Sequence, residues 1–114
     1  MADNTNLVVL STFSDGDTAA RIARMLIDER LAACVNLVPT VRSVYRWQGA
    51  ICDQPEALAI IKTTSERYAA LAARLAELHP YQVPEILALP VTAGHAPYLA
   101  WLAGEVSAQP PSAP

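Results

Sequence analysis

Three side chains that can exchange protons or bind a metal ion lie within seven residues: His79, Tyr81 and Glu85. Pro80 and Pro84 stiffen the backbone between them, because proline fixes its own φ and pushes the preceding residue toward extended geometry. We predict that a helix ends here and a strand begins, so that a rigid connector presents the three groups. On this segment alone, the simpler explanation is that the prolines only end a helix and the polar groups face water.

Further short segments on both sides of the connector form a pattern with it. They are Leu31–Asn36, Ser43–Gly49, Ile60–Thr64, Leu89–Val91 and Tyr98–Leu102. In this order and at this spacing they resemble the CutA family of divalent-cation tolerance proteins, over about residues 7 to 104. Gln82 departs from the family pattern, since many relatives carry Glu there. The change removes one anionic group from any metal site that includes position 82.

The resemblance implies a compact homotrimer that binds copper or another divalent metal ion, without catalysis and without an obligatory cofactor. Cys34, His79 and Glu85 are the metal ligands that it implies, because Cu(I) prefers thiolate whereas Cu(II) prefers imidazole and carboxylate. Cys34 is equally well explained as a small buried apolar residue. In an enzymatic alternative, Cys34 would be a nucleophile and His79 its base. The sequence has neither a nucleophile elbow nor a glycine-rich phosphate loop to support that alternative.

A second non-enzymatic hypothesis follows from a fold-level likeness to the trimeric nitrogen-regulatory P-II proteins. It is a signalling or scaffold module in which Lys62, Tyr81, Glu85 and Trp47 line a cleft between subunits and bind a small anionic ligand. Lys62 ends an apolar strand, where a half-buried ammonium group needs an anionic partner such as Glu85 or a bound anion. The alternative is a lysine that leaves the edge of the sheet for solvent.

The composition of the chain argues against several classes of function. Hydrophobic residues make up 53% of the 114-residue chain and charged residues only 17%, which favours burial of apolar surface in a homo-oligomer. The net charge of −3, without a basic cluster, argues against nucleic-acid binding. The sequence has no apolar run of about 18 residues, so we expect no membrane insertion. A polar N-terminus unlike a signal peptide predicts a cytoplasmic location.

The pattern of apolar residues predicts an α+β fold with the ferredoxin-like order β-α-β-β-α-β and an extra C-terminal helix. The predicted strands cover residues 7–10, 34–47, 51–63 and 85–91, and helices follow Ser14, Thr63 and Pro97. We predict a single domain over residues 7–106, a flexible N-terminus at residues 1–6 and a disordered tail at residues 107–114. Helices on one face of the sheet leave the other face to be covered by neighbouring subunits.

The hairpin between the second and third strands is predicted to be long, with about 13 residues per arm and a reach of about 40 Å. Pro39 interrupts its first arm, which indicates an edge strand or a β-bulge. A turn at Gln48–Gly49 pairs residues whose numbers sum to about 97. This register keeps Cys34 and Cys52 too far apart for a disulfide, so both should be free thiols. Trp47, near the tip, is expected to contact a neighbouring subunit.

Finer expectations concern helix caps and side-chain directions. Ser14 and Thr63 are predicted to cap the first two helices, each with an acidic residue three positions later. Glu56 is expected to face solvent. Tyr98 and Trp101 are expected to pack inward from the last helix.

Overall fold

The computed structural model describes residues 4–107. Its elements are β1 (Asn6–Phe13), α1 (Gly16–Asp28), β2 (Cys34–Trp47), β3 (Ala50–Thr64), α2 (Ser65–Leu78), β4 (Leu87–Pro90) and α3 (Ala96–Glu105). The predicted α+β order with a C-terminal helix is confirmed. Residues 1–3 and 108–114 lie outside the described residues, so the flexible N-terminus and the disordered tail stay predictions. Among the described residues, β1 already begins at Asn6.

The four strands form one antiparallel sheet in the order β2-β3-β1-β4. Apolar side chains that alternate along β1 and β3 point to one face, which the helices cover; we call it the covered face. Its buried residues include Val9, Phe13, Ala59 and Ile61. Ile22 and Leu26 of α1 and Leu71 and Leu75 of α2 pack in the same core. This covered face is the hydrophobic core of the chain, and burial of its apolar surface stabilises the fold.

The opposite side of the sheet, the open face, is also apolar. The strand register places there Val8, Leu10, Leu58, Ile60, Leu87 and Leu89. Leu87 and Leu89 keep 56% and 50% of their surface exposed. Contiguous exposed apolar surface of this kind is typical of an interaction site.

A β-bulge interrupts the long hairpin at Pro39, where the sequence indicated an edge strand or a bulge, and β2 is also an edge strand of the sheet. Val38 pairs with Leu58 and Val41 pairs with Glu56, so two residues of β2, including Pro39, oppose one residue of β3. The predicted pairing therefore holds between the bulge and the turn and is one residue off on the other side. Since successive residues of a strand point to opposite faces, the bulge also switches which residues of β2 lie on the open face.

The hairpin turn is tight and extends the molecule along one axis. Gln48 and Gly49 have φ of 50° and 81°, the left-handed conformation that two-residue hairpin turns require and that glycine adopts without strain. The principal extents are 52 × 27 × 23 Å. The predicted turn position is confirmed.

Both predicted helix caps are wrong. Asp15, rather than Ser14, caps α1: its carboxylate accepts a hydrogen bond of 2.7 Å from a backbone N–H in the first turn. At α2 the side-chain oxygen of Asn4 accepts a hydrogen bond of 3.1 Å from the backbone N–H of Glu66. The hydroxyl of Thr63 instead donates into the core, to a carbonyl that precedes β2. A cap from an acceptor 62 residues away in sequence lies beyond any local pattern.

The last helix begins around Pro97 as predicted, but only part of it packs inward. Leu102 is buried against Ala33, whereas Tyr98 and Trp101 are 41% and 45% exposed. The two aromatic rings contact each other, with their centroids 5.5 Å apart. The prediction that both point inward is wrong within a single chain. They instead add aromatic surface near the Cys34 end of β2.

Candidate functional site

Polar side chains gather at two ends of the open face. The thiol end consists of Cys34, Asn36, Lys62 and Tyr98. The acidic groove is formed by Thr12, Ser43, Val44, Tyr45, Trp47, Glu56, Val83 and Glu85. Lys62 and Glu56, one at each end, are six residues apart on β3, which corresponds to about 20 Å.

His79 ends α2 and is packed behind the groove. It is 7% exposed, and its ring stacks on Phe13 with centroids 4.4 Å apart. Its Nδ1 accepts a hydrogen bond of 3.1 Å from the backbone N–H of Tyr81, so Nε2 carries the proton and donates to the carbonyl of Thr12 at 2.8 Å. Burial lowers the pKa of His79 below its ordinary value and favours the neutral ring. Neither ring nitrogen has a free lone pair for a metal.

Glu56 is buried beside the connector, at 9% exposure. The prediction that it faces solvent is wrong, because the chain leaving α2 brings Tyr81 onto its carboxylate. The hydroxyl of Tyr81 donates a hydrogen bond of 2.6 Å to Oε2 of Glu56. Burial and this negative neighbour raise the pKa of Tyr81 far above its ordinary value, so the phenol stays neutral and remains a donor.

The acidic groove has aromatic walls and an acidic lining. It encloses about 350 Å³, with Tyr45, Trp47, Glu56 and Glu85 among its lining residues. Burial, and then the neighbouring Cys52 thiol and Glu56, raise the pKa of Tyr45. The groove residues include two carboxylates but no lysine or arginine. Of the four residues predicted to line a ligand cleft, this region brings together Trp47, Tyr81 and Glu85 and leaves out Lys62.

Lys62 lies at the thiol end instead. It pairs with Cys34, where the predicted register had Thr63, since the bulge shifts the pairing by one. Its ammonium group donates to the side-chain oxygen of Asn36 and lies 3.9 Å from the sulfur of Cys34. An amide oxygen thus takes the place of the anionic partner that we expected, and Glu85 lies at the other end of the face. Burial and the Cys34 thiol also raise the pKa of the Tyr98 phenol.

The three predicted metal ligands do not meet within one chain. Cys34 is at the thiol end, Glu85 lines the groove, and His79 has both ring nitrogens hydrogen-bonded. Across residues 4–107, no group of three His, Cys, Asp or Glu side chains could hold a metal ion. The separation also leaves Cys34 without His79 as a catalytic base. Cys34 and Cys52 are both free thiols, as predicted.

Glu56 and Tyr45 were not among the residues predicted to form a site. Part of the information was present in the sequence. Val41, Tyr45 and Trp47 occupy alternate positions of one strand and so point to the same face, and Pro39 indicated an edge strand or a bulge. The pairing of Val41 with Glu56 combines these two observations. The contact with Tyr81, 25 residues away, had no local signal.

Comparison with known proteins identifies relatives over nearly the whole chain. The family model of the CutA1 divalent ion tolerance protein matches residues 7–105. The divalent-cation tolerance protein CutA of Thermus thermophilus is 50% identical over 95 residues, 83% of this chain and 92% of that protein. No helix among residues 4–107 is long and apolar enough to cross a membrane.

Solved structures agree with the sequence matches. The crystal structure of CutA1 from Oryza sativa superimposes with a TM-score of 0.88 at 39% identity, covering 92% of this chain and 96% of that one. The CutA of Archaeoglobus fulgidus, described as a periplasmic divalent cation tolerance protein, gives a TM-score of 0.86 at 32% identity and covers 90% and 99%.

Proposed function

Because the chain belongs to the CutA1 divalent ion tolerance family, we propose that it responds to divalent metal ions such as copper by binding them, as a homotrimer and without catalysis. The observation that supports assembly is the open face, where Leu87 and Leu89 are half exposed beside further apolar side chains of β1 and β3. Packing of these faces against one another would bury that surface and contribute about 25 cal/mol per Å² of apolar area.

Metal binding then depends on assembly. The described residues of one chain offer no set of three ligands, so a tight site needs donors from more than one protomer. We propose Cys34 as its soft ligand, because a partly exposed thiol on the open face can meet a neighbouring protomer. Glu85, which the resemblance also implies, lies away from Cys34 in the protomer and joins it only where another protomer presents it, whereas His79 has both ring nitrogens hydrogen-bonded within its own chain.

Native mass spectrometry of the tagless protein, with and without a slight excess of copper, tests this proposal. We expect a trimer that takes up one ion per chain. The substitution Cys34→Ser should abolish uptake, whereas Cys52→Ser, at the other half-buried free thiol, is the matched control and should retain it. A trimer whose copper uptake is absent, or is the same in both variants, would contradict the proposed metal role while leaving the assembly intact.

The acidic groove favours a second candidate, a signalling or scaffold module that binds a small ligand between subunits. Trp47 and Glu85 line the groove of about 350 Å³, and Tyr81 lines an adjoining pocket together with Trp47, whereas Lys62, the fourth residue of that hypothesis, lies at the thiol end. A thermal-shift panel of small metabolites of either charge tests it. A ligand that raises the melting temperature of the wild type, and does so less in Trp47→Ala, would support this candidate; a panel without any hit would count against it.

A cytoplasmic location stays a prediction. The Archaeoglobus fulgidus relative is described as periplasmic, so membership of the family does not decide the compartment. Cell fractionation followed by immunoblotting of the native protein would decide it.

A further inference from the structure

The open face carries opposite charges at its two ends. Of the strand residues that the register places on this face, two are charged: Lys62 at the thiol end and Glu56 at the acidic groove. Glu85 adds a second carboxylate to the groove, whose lining includes no lysine or arginine. Arg42 and Arg46 of β2 occupy the alternate positions and point to the other side of the sheet. The open face is therefore positive at one end and negative at the other, about 20 Å away along β3.

Lys62 makes no ion pair within residues 4–107. The side chain is half-buried, and its ammonium group donates to the side-chain oxygen of Asn36 and lies 3.9 Å from the sulfur of Cys34. An ammonium group has three N–H donors, so these two contacts with uncharged groups leave one donor and the charge itself without an anionic partner. Packing of the open face against another protomer would bury Lys62 further. A buried charge is stable only when it is paired, so the assembly needs a carboxylate at this point.

Glu85 is the carboxylate that can fill this role. Glu56 already receives the hydroxyl of Tyr81, whereas the half-buried carboxylate of Glu85 receives no hydrogen bond and makes no ion pair within residues 4–107. Glu85 lies with Glu56 at the opposite end of the face from Lys62. That separation is more than twice the screening length of about 8 Å in physiological salt, so the two charges do not pair within one chain. Pairing between them requires a second copy of the chain.

Charge complementarity also selects how two open faces meet. Faces that meet with the same ends together place like charges against each other, which destabilises an interface. Faces that meet thiol end to acidic groove place opposite charges together. In a ring of three, each protomer then presents Lys62 to one neighbour and Glu85 to the other, so both ends of every face are paired. Exposed aromatic rings, which are common in interface cores, are present at both ends: Tyr98, Trp101, Tyr45 and Trp47.

We infer that the thiol end of each protomer docks on the acidic groove of the next, with the ammonium group of Lys62 paired to the carboxylate of Glu85 across the interface. The inference rests on the homotrimer proposed above and specifies which surfaces of its protomers meet. It also brings a carboxylate of a neighbouring protomer to Cys34, because Lys62 lies 3.9 Å from the Cys34 sulfur. A carboxylate has two oxygens, so Glu85 can pair with Lys62 and still offer an oxygen to a metal ion.

Reversal of the two charges tests the pairing. Native mass spectrometry of ¹⁴N-labelled trimers mixed with ¹⁵N-labelled ones measures how fast protomers exchange, and so how fast the trimer dissociates. Lys62→Glu and Glu85→Lys should each speed up exchange at least roughly tenfold, because like charges then meet in the interface. The variant with both reversals should exchange at least roughly threefold more slowly than Lys62→Glu alone, because opposite charges face each other again. Arg24→Glu, at an exposed position of α1, is the matched control and should not change the rate.

Neutral substitutions give a second test that does not depend on how the reversed charges fold. Lys62→Gln and Glu85→Gln should each speed up exchange, and the two together should do so no more than the larger single effect, because they remove the same contact. Additive effects of the neutral pair, or a double reversal that exchanges as fast as Lys62→Glu, would overturn the inference. A wild type that is not a trimer would contradict the proposed function itself, so the two failures are distinguishable.

Discussion

The two faces of the sheet are built from neighbouring residues of the same strands, yet only one of them is covered within the chain. On β3, Ile61 is 1% exposed beneath the helices, while Ile60, one position earlier, lies half-buried on the open face. Apolar character alone does not distinguish them. The placement of the helices distinguishes these two isoleucines, because α1 and α2 both pack on the same side of the four-stranded sheet. Both faces of the sheet are therefore apolar, but the chain covers only one of them with its own helices.

The largest expected effect comes from a charge on the open face. Ile60→Lys should prevent assembly, because an unpaired charge buried in an interface costs about 3–5 kcal/mol. Size-exclusion chromatography with light scattering would then show monomers that retain their secondary structure. Ile27→Lys, at a position on α1 that is 43% exposed, should leave the assembly unchanged. An unaltered trimer in Ile60→Lys would show that the open face is not the interface.

A substitution at Ile61, the neighbour of Ile60 on the covered face, should lower the stability of the fold. Ile61→Ala removes buried methylene and methyl groups from the covered face and should lower the free energy of unfolding by about 2–5 kcal/mol. Denaturant unfolding followed by circular dichroism measures the change. Val44→Ala, on the hairpin at 64% exposure, serves as the control and should change it by less than about 0.5 kcal/mol. Similar losses in both variants would contradict the contrast in burial.

A smaller effect is expected at the groove. Tyr81→Phe removes the one hydrogen bond to buried Glu56 and should lower the free energy of unfolding by about 1–3 kcal/mol. Tyr68→Phe is the matched control, since its hydroxyl makes no hydrogen bond within residues 4–107. A double-mutant cycle with Glu56→Gln should give a coupling energy; additive effects would mean that the 2.6 Å contact does not contribute to stability.

The smallest expected effect is an increase in stability. Ser11 on β1 is fully buried, and its hydroxyl has no hydrogen-bond partner in the described chain. Ser11→Ala should therefore raise the free energy of unfolding by about 1 kcal/mol. Thr63→Val, also on the covered face, should lower it by about 1–3 kcal/mol, because the Thr63 hydroxyl donates a 2.7 Å hydrogen bond to the carbonyl of Leu31. A loss of stability in Ser11→Ala would indicate an unseen partner for its hydroxyl.

The sequence was sufficient for the order of elements and the hairpin turn, and it indicated an edge strand or a bulge at Pro39, because periodicity, turn chemistry and proline act locally. It was not sufficient for contacts between distant segments. The cap from Asn4 and the bond from Tyr81 to Glu56 join residues 62 and 25 positions apart. Their partners are set by how the helices and the connector pack on the sheet, which short patterns do not record.

The predicted site residues show the same limit. Cys34, His79 and Glu85 carry suitable metal-binding chemistry, but the tertiary structure distributes them over both ends of the sheet and the core behind it. Lys62 was expected either to meet an anionic partner or to leave the sheet for solvent, and it instead donates to the amide oxygen of Asn36, two positions after Cys34. The chemical type of each residue was informative, whereas the grouping required the strand register.

The bulge at Pro39 absorbs one extra residue of β2, so the sequence pattern of the strand shifts by one position while its side chains keep their faces. On the side nearer Cys34, even-numbered residues of β2 share the open face; beyond the bulge the odd-numbered ones do, including Tyr45 and Trp47. Removing that extra residue would leave Val38 opposite Leu58 and Val41 opposite Glu56, with one residue of β2 between them, so Tyr45 and Trp47 would stay on the open face. The placement of the groove residues therefore survives a one-codon deletion at the bulge, whereas the alternation of the sequence along β2 would become regular.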